Sequence, residues 1–160
     1  MVPTLISQND PRWQGLLIPP SKQTLGRAGC LISDLSSATS AYGTFFTPAQ
    51  LAQMLKYTPD GRLLWQSLAD NPEIAFKLEK RLYNFDPVEI NKSLADENRF
   101  VFLNVNNNSH WVFAWRKDLL FGGSYIVADP YPFPAVRKST RSFRNITGSA
   151  HFILKNPKGI

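Results

Sequence analysis

Cys30 stands in the run Leu25-Gly-Arg-Ala-Gly-Cys30-Leu-Ile-Ser-Asp-Leu, directly after Gly29 and at the head of an amphipathic stretch. A thiol is a weak nucleophile until it loses its proton. A helix N-terminus, equivalent to about half a positive charge, favours the thiolate. The placement makes Cys30 a candidate nucleophile with an acidic, exposed thiol. Gly29 would leave room for a substrate carbonyl, and the Cys30 N–H could face a developing oxyanion. Far along the chain, His110 begins one apolar strand and Asp129 ends the next. In an antiparallel hairpin the start of one strand lies beside the end of its neighbour. His110 is therefore placed to take up and return the thiol proton, and Asp129 to orient and polarise its ring.

Each of these residues also has a plainer reading. Free cysteine is among the most buried residue types, a histidine at a strand end is common, and Asp-Pro often opens a turn. The three together carry the weight. Asp34 falls one helical turn beyond Cys30 on the same face, where a carboxylate would raise the thiol pKa if close, or would instead pair with Arg27. Trp13 and Trp111 are candidate walls of a substrate groove, whereas His151, set in the last apolar strand, reads as structural. One cysteine and two distant histidines give no metal-ligand spacing, and no cofactor is expected.

The elements that must hold these residues divide the chain into a front half of helices and a back half of strands. Residues 1–29 read as an irregular arm rich in Pro and Gly. Residues 30–98 read as a helical part. Leu31, Leu35, Ala38 and Tyr42 recur at helical spacing until Gly43, and Thr47-Pro48 and Asp86-Pro87 are cap-plus-proline starts. Residues 60–70 and 72–84 read as two further helices, split by Asp70-Asn71-Pro72. From residue 99 to 160 the period changes to that of strands: Phe100–Val105, His110–Trp115, Ser124–Ala128 and Ala150–Leu154. Helices first and an antiparallel meander afterwards make an α+β fold.

The chain has 160 residues, enough for a single domain with a sizeable core. Its lone cysteine rules out an internal disulfide. No run approaches the ~20 apolar residues of a membrane span. The N-terminal residues lack the basic and apolar regions of a signal peptide. We therefore expect a protein cytoplasmic when made, with a virion or the cell wall as later destinations. A net charge of +6 suits anionic partners. Nucleic acid is disfavoured, because the basic residues are scattered, the Arg137–Arg144 cluster apart, and no recognition signature accompanies them.

Several short motifs resemble a known family. Gln8-Asn-Asp10-Pro-Arg-Trp13, Leu25-Gly26-Arg-Ala-Gly29-Cys30, Thr47-Pro48 with its helix, His110-Trp111-Val112 and Tyr125-Ile-Val-Ala-Asp129-Pro130 occur in the order found in papain-like peptidases similar to the bacteriocin-processing (double-glycine leader) cysteine peptidases. The resemblance implies a papain-like fold, with Cys30 as nucleophile, His110 as general base and acid, and Asp129 as its orienter. It further implies that Gln8 donates its side-chain amide to the oxyanion hole, with Gln23 as the rival for that role. Two departures stand out: Leu31-Ile-Ser-Asp34 after the cysteine, and the stretch 59–98. The expected function is thiol-dependent hydrolysis of a peptide or isopeptide bond, with a cell-wall peptide as favoured substrate. Domains of this kind also occur in phage lysis and tail proteins, so phage structural proteins are candidate partners. The alternatives are a catalytically silent structural or adaptor subunit, as in a phage tail, and a cytoplasmic protein-processing peptidase.

Overall fold

Local sequence signals account for most of the helices. A computed structural model describes residues 2–158; the ends of the expected domain, residues 1 and 159–160, lie outside it. Thr24 caps a single turn, α1 (Leu25–Ala28), through its side-chain oxygen, and Gly29 joins this turn to α2 (Cys30–Ala41). Thr47 and Gln50 form a reciprocal capping box around Pro48 and start α3 (Pro48–Met54). A short helix, α4, spans Gln66–Asp70. Asp86 caps α5 (Pro87–Ala95) by accepting from the Glu89 N–H.

The sheet departs from the sequence expectation in three ways. The stretch 72–84 is not a helix: Phe76–Leu82 is the first strand, β1, so the part from 30 to 98 is only partly helical. Asn71-Pro72 breaks the preceding helix, and alternation of Phe76 and Leu78 with Lys77 and Glu79 suits a half-buried strand. After β2 (Arg99–Val105), β3 (His110–Lys117) and β4 (Tyr125–Asp129), a further strand appears, β5 (Val136–Ser139), where the sequence pattern predicts none. The last strand, β6 (Ile146–Leu154), begins earlier than its apolar run. It lies in the sheet interior, not at the end of a meander. The order is β1-β6-β2-β3-β4-β5, with every neighbouring pair antiparallel.

Both faces of this sheet are covered, which explains the nearly unbroken apolar run of β2. Phe100 and Phe102, with Phe76, Phe113 and Phe152, pack toward Ile32, Leu35 and Ala38 of α2. Their rings form a connected cluster, with Phe100 stacked on Phe152 at 4.8 Å between centroids. The alternate residues Val101, Leu103 and Val105 pack with Val112, Tyr125, Val127 and Ile90 of α5. The helix that begins with Cys30 is thus pressed along its length onto the strand that begins with His110. The irregular arm is anchored as well, since the Gln8 N–H donates to the Pro130 carbonyl just beyond β4. No described helix is long and apolar enough to cross a membrane.

Candidate active site

Cys30, His110, Asp129 and Gln8 line one cavity of about 400 Å³ at the junction of α2 with the ends of β3 and β4. Gly29 puts Cys30 there by a close approach: a Cβ at Gly29 would fall 2.3 Å from the Leu25 carbonyl oxygen. The glycine is therefore demanded by the packing of α1 against its own exit. The room for a substrate carbonyl that the sequence suggested is not needed to explain it.

The histidine and the acid are in direct contact. His110 Nε2 lies 2.7 Å from Asp129 Oδ1, which leaves Nδ1 as the ring nitrogen without a protein partner among the described residues. Asp129 Oδ1 also accepts from the Tyr131 N–H at 3.0 Å, and Oδ2 faces Lys138 Nζ at 2.6 Å. Burial would raise the Asp129 carboxyl. The bonds from His110, Lys138 and Tyr131 overcome this and hold it at about 2. Asp129 is accordingly a fixed anion, and Lys138 of β5 is a site residue the sequence reading did not single out. In sequence Lys138 belongs to the basic Arg137–Arg144 cluster, which bears only on nucleic-acid binding as long as β5 is not recognised. Around the ring, Tyr131 stands edge-on at 6.4 Å and Phe143 tilted at 6.0 Å.

The thiol departs from expectation. Burial, with a further contribution from Asp34, pushes Cys30 up to about 11, against backbone N–H groups of Trp111, Leu31 and Cys30 that face the sulfur. The helix N-terminus does not make this an acidic thiol: Cys30 is half-buried, and desolvation of the sulfur outweighs the dipole. Asp34 is fully buried and makes no ion pair with Arg27. Its Oδ2 has no hydrogen-bond partner. Burial and the nearby Asp129 carboxylate raise its pKa well above the ordinary range.

Gln8 is buried and donates from Nε2 to the Gly26 carbonyl at 3.0 Å, and its Oε1 is unpartnered. An amide nitrogen has two N–H groups, so one remains for another acceptor. Gln23 is exposed and lines neither this cavity nor the adjoining groove. Trp13 is a correction. It sits in the hydrophobic core with its Nε1–H bonded to the Ser7 carbonyl at 2.8 Å, and it lines neither space. Trp111 does line the second space, a groove of about 620 Å³ that meets the cavity at Cys30. His151 is buried between Ser93 and Ser149, at 2.6 and 2.8 Å, and burial lowers it to about 4, which fits a structural role. Among the described residues there is no cluster of three or more metal-ligating side chains.

No known protein family matches the chain, and no curated protein matches it. Among solved structures, the chain is similar to the peptidase domain of Streptococcus ComA, a bi-functional ABC transporter involved in a quorum-sensing pathway. The two superpose with a TM-score of 0.60 at 17% identity, over 95% of this chain and 98% of that one. The likeness over nearly the whole of both chains gives this chain the fold of that peptidase domain, helices packed on an antiparallel sheet, as expected of a papain-like fold.

Proposed function

We propose that the protein is a cysteine peptidase in which Cys30 attacks a peptide or isopeptide carbonyl. The observation that carries this reading is the pairing of His110 Nε2 with Asp129 Oδ1 on the rim of the cavity that Cys30 enters, since it leaves Nδ1 to serve the thiol. With the thiol held neutral at pH 7, His110 must take its proton as the C–S bond forms, not beforehand. The imidazolium so produced is stabilised by Asp129, already anionic. The oxyanion of the tetrahedral intermediate is met by the Cys30 N–H and the second Gln8 N–H. Collapse expels the amine, protonated by His110, and leaves an acyl-enzyme. Water activated by the same ring then releases the acid and restores the thiol.

Cleavage of a mixed peptide pool, read by mass spectrometry, tests the proposal. Wild-type protein should cut the pool and form a Cys30 acyl adduct on rapid acid quench. Cys30→Ala and His110→Ala should fold normally and cut nothing. Cleavage that survives Cys30→Ala would defeat the assignment. The raised thiol and the buried Asp34 favour a second reading, a catalytically silent scaffold of the same fold. Under it, neither wild type nor Cys30→Ala cuts any peptide and both bind the same partner.

A further inference from the structure

The groove on the Trp111 side of Cys30 contains a cation that has no counter-ion among the described residues. Arg81, from β1, lies with its guanidinium carbon 4.3 Å from the Tyr83 ring centroid and 4.8 Å from that of Trp111. Its Nη1 donates to the Leu82 carbonyl and, at 3.4 Å, to that of Ser149. Among the described residues it makes no ion pair, although Lys80 beside it and Arg99 on the neighbouring sheet surface do. Gly148 lies close beneath it: a Cβ there would fall 2.7 Å from the Leu82 carbonyl oxygen and 2.8 Å from Arg81 Nη1. A guanidinium stays charged at any ordinary pH. In a partly buried one without a carboxylate, two carbonyls and two rings offset only part of the desolvation cost, and burial lowers its pKa.

The rest of the groove has the same polarity. Arg27 and Arg62 also line it, and its one acid, Asp60, is already taken by Arg62 at 3.2 Å. Asn104, 4% exposed, lines it with an Oδ1 that has no partner, a group suited to a peptide N–H. We propose that this groove is a carboxylate-binding subsite. Arg81 receives a carboxylate of the peptide on one side of the bond that Cys30 attacks. The inference rests on the peptidase reading and adds a substrate class to it: peptides with an Asp or Glu side chain, or a free C-terminus, at a set distance from the scissile bond. Tyr83 and Trp111 flank the guanidinium and Nη1 is engaged by the two carbonyls, which leaves one edge of the fork, Nε and Nη2, for two parallel N–H bonds to a carboxylate.

The test labels Cys30 with iodoacetyl-capped peptides, because alkylation needs the thiol but no turnover. One series carries Glu at successive positions with an amidated C-terminus, a second carries Gln with the same amide, and a third carries Gln with a free C-terminus. We expect one carboxylate series to label wild-type protein about tenfold faster than the neutral series at low concentration, the yield of one charge-assisted contact. Which series wins identifies the source of the carboxylate. In Arg81→Gln the advantage should shrink to about twofold, while the rate with plain iodoacetamide stays unchanged. Free glutarate should erode the wild-type preference, a measurement that needs no variant. Equal labelling by all three series in wild type, or a preference that survives both Arg81→Gln and glutarate, would overturn the subsite. A carboxylate preference without any cleavage of the peptide pool would uphold the subsite and overturn the peptidase reading instead.

Discussion

Asp129→Asn should destabilise the protein in a way that depends on pH. In the native state the carboxyl is held at about 2, against an ordinary value of 3.8. The side chain is only 4% exposed, so solvent does little to screen the interaction. At about 1.4 kcal/mol per pKa unit, the charged form contributes about 2 kcal/mol to folding at neutral pH. The sign follows from a depressed carboxyl. Between about 2 and 3.8 the unfolded chain binds the proton more readily, so the contribution is complete above about pH 5 and is lost as pH falls toward 2. By pH 3 roughly half of it should be gone. Asparagine retains an oxygen for the His110 ring but turns an N–H₂ toward the Lys138 ammonium, which is left unpaired. Urea unfolding of wild type and Asp129→Asn at pH 7 should therefore show a gap of about 2 kcal/mol, equivalent to about 4–8 °C in Tm for a domain of this size. At pH 3 the gap should narrow by about 1 kcal/mol. A gap that is absent at pH 7, or equally wide at pH 7 and pH 3, would refute the account of Asp129 as an anion fixed by His110 and Lys138.

Three further outcomes follow from the same geometry. Alkylation of Cys30 by iodoacetamide should climb steadily with pH toward about 11, and Asp34→Ala should move the climb downward; a plateau reached by pH 7 would show a standing thiolate and contradict the burial argument. Gly29→Ala should cost about 1–3 kcal/mol, because its Cβ cannot coexist with the Leu25 carbonyl 2.3 Å away; thermal unfolding at neutral pH would reveal a silent substitution and so disprove the clash. His151 is held neutral, with a value lowered from 6.5 to about 4. Wild-type stability should thus fall by about 3 kcal/mol as pH drops from about 7 to 4, and His151→Gln should remove that component; parallel acid-titration slopes in the two proteins would count against it.

The parts of the site readable in the chain are those governed by neighbours in sequence. Cys30 after Gly29, Thr47-Pro48 and Asp86-Pro87 are helix starts whose caps and proline act over one turn, and all three start helices. The hairpin geometry that sets His110 beside Asp129 follows from two adjacent apolar strands. Stretch 72–84 is ambiguous in sequence because Phe76, Leu78 and Leu82 satisfy a short apolar pattern of either period. Only pairing with β6 makes it a strand.

What the tertiary structure alone decided is what depends on residues distant in the chain. The insertion of β6 between β1 and β2 has no local signal, since strand order is settled by which faces can be buried together. Lys138 reaches Asp129 only because β5 pairs with β4, and Arg81 meets Trp111 only across the folded sheet. The same holds for protons. A helix start makes a thiol more acidic by a local dipole. The affinity of Cys30 for its proton is instead set by all the atoms that exclude water from it, and those come from α2, β3 and Asp34 together. The sequence by itself determined which residues could do chemistry and where each begins its element. Desolvation and strand order, which are sums over the whole fold, decided their state.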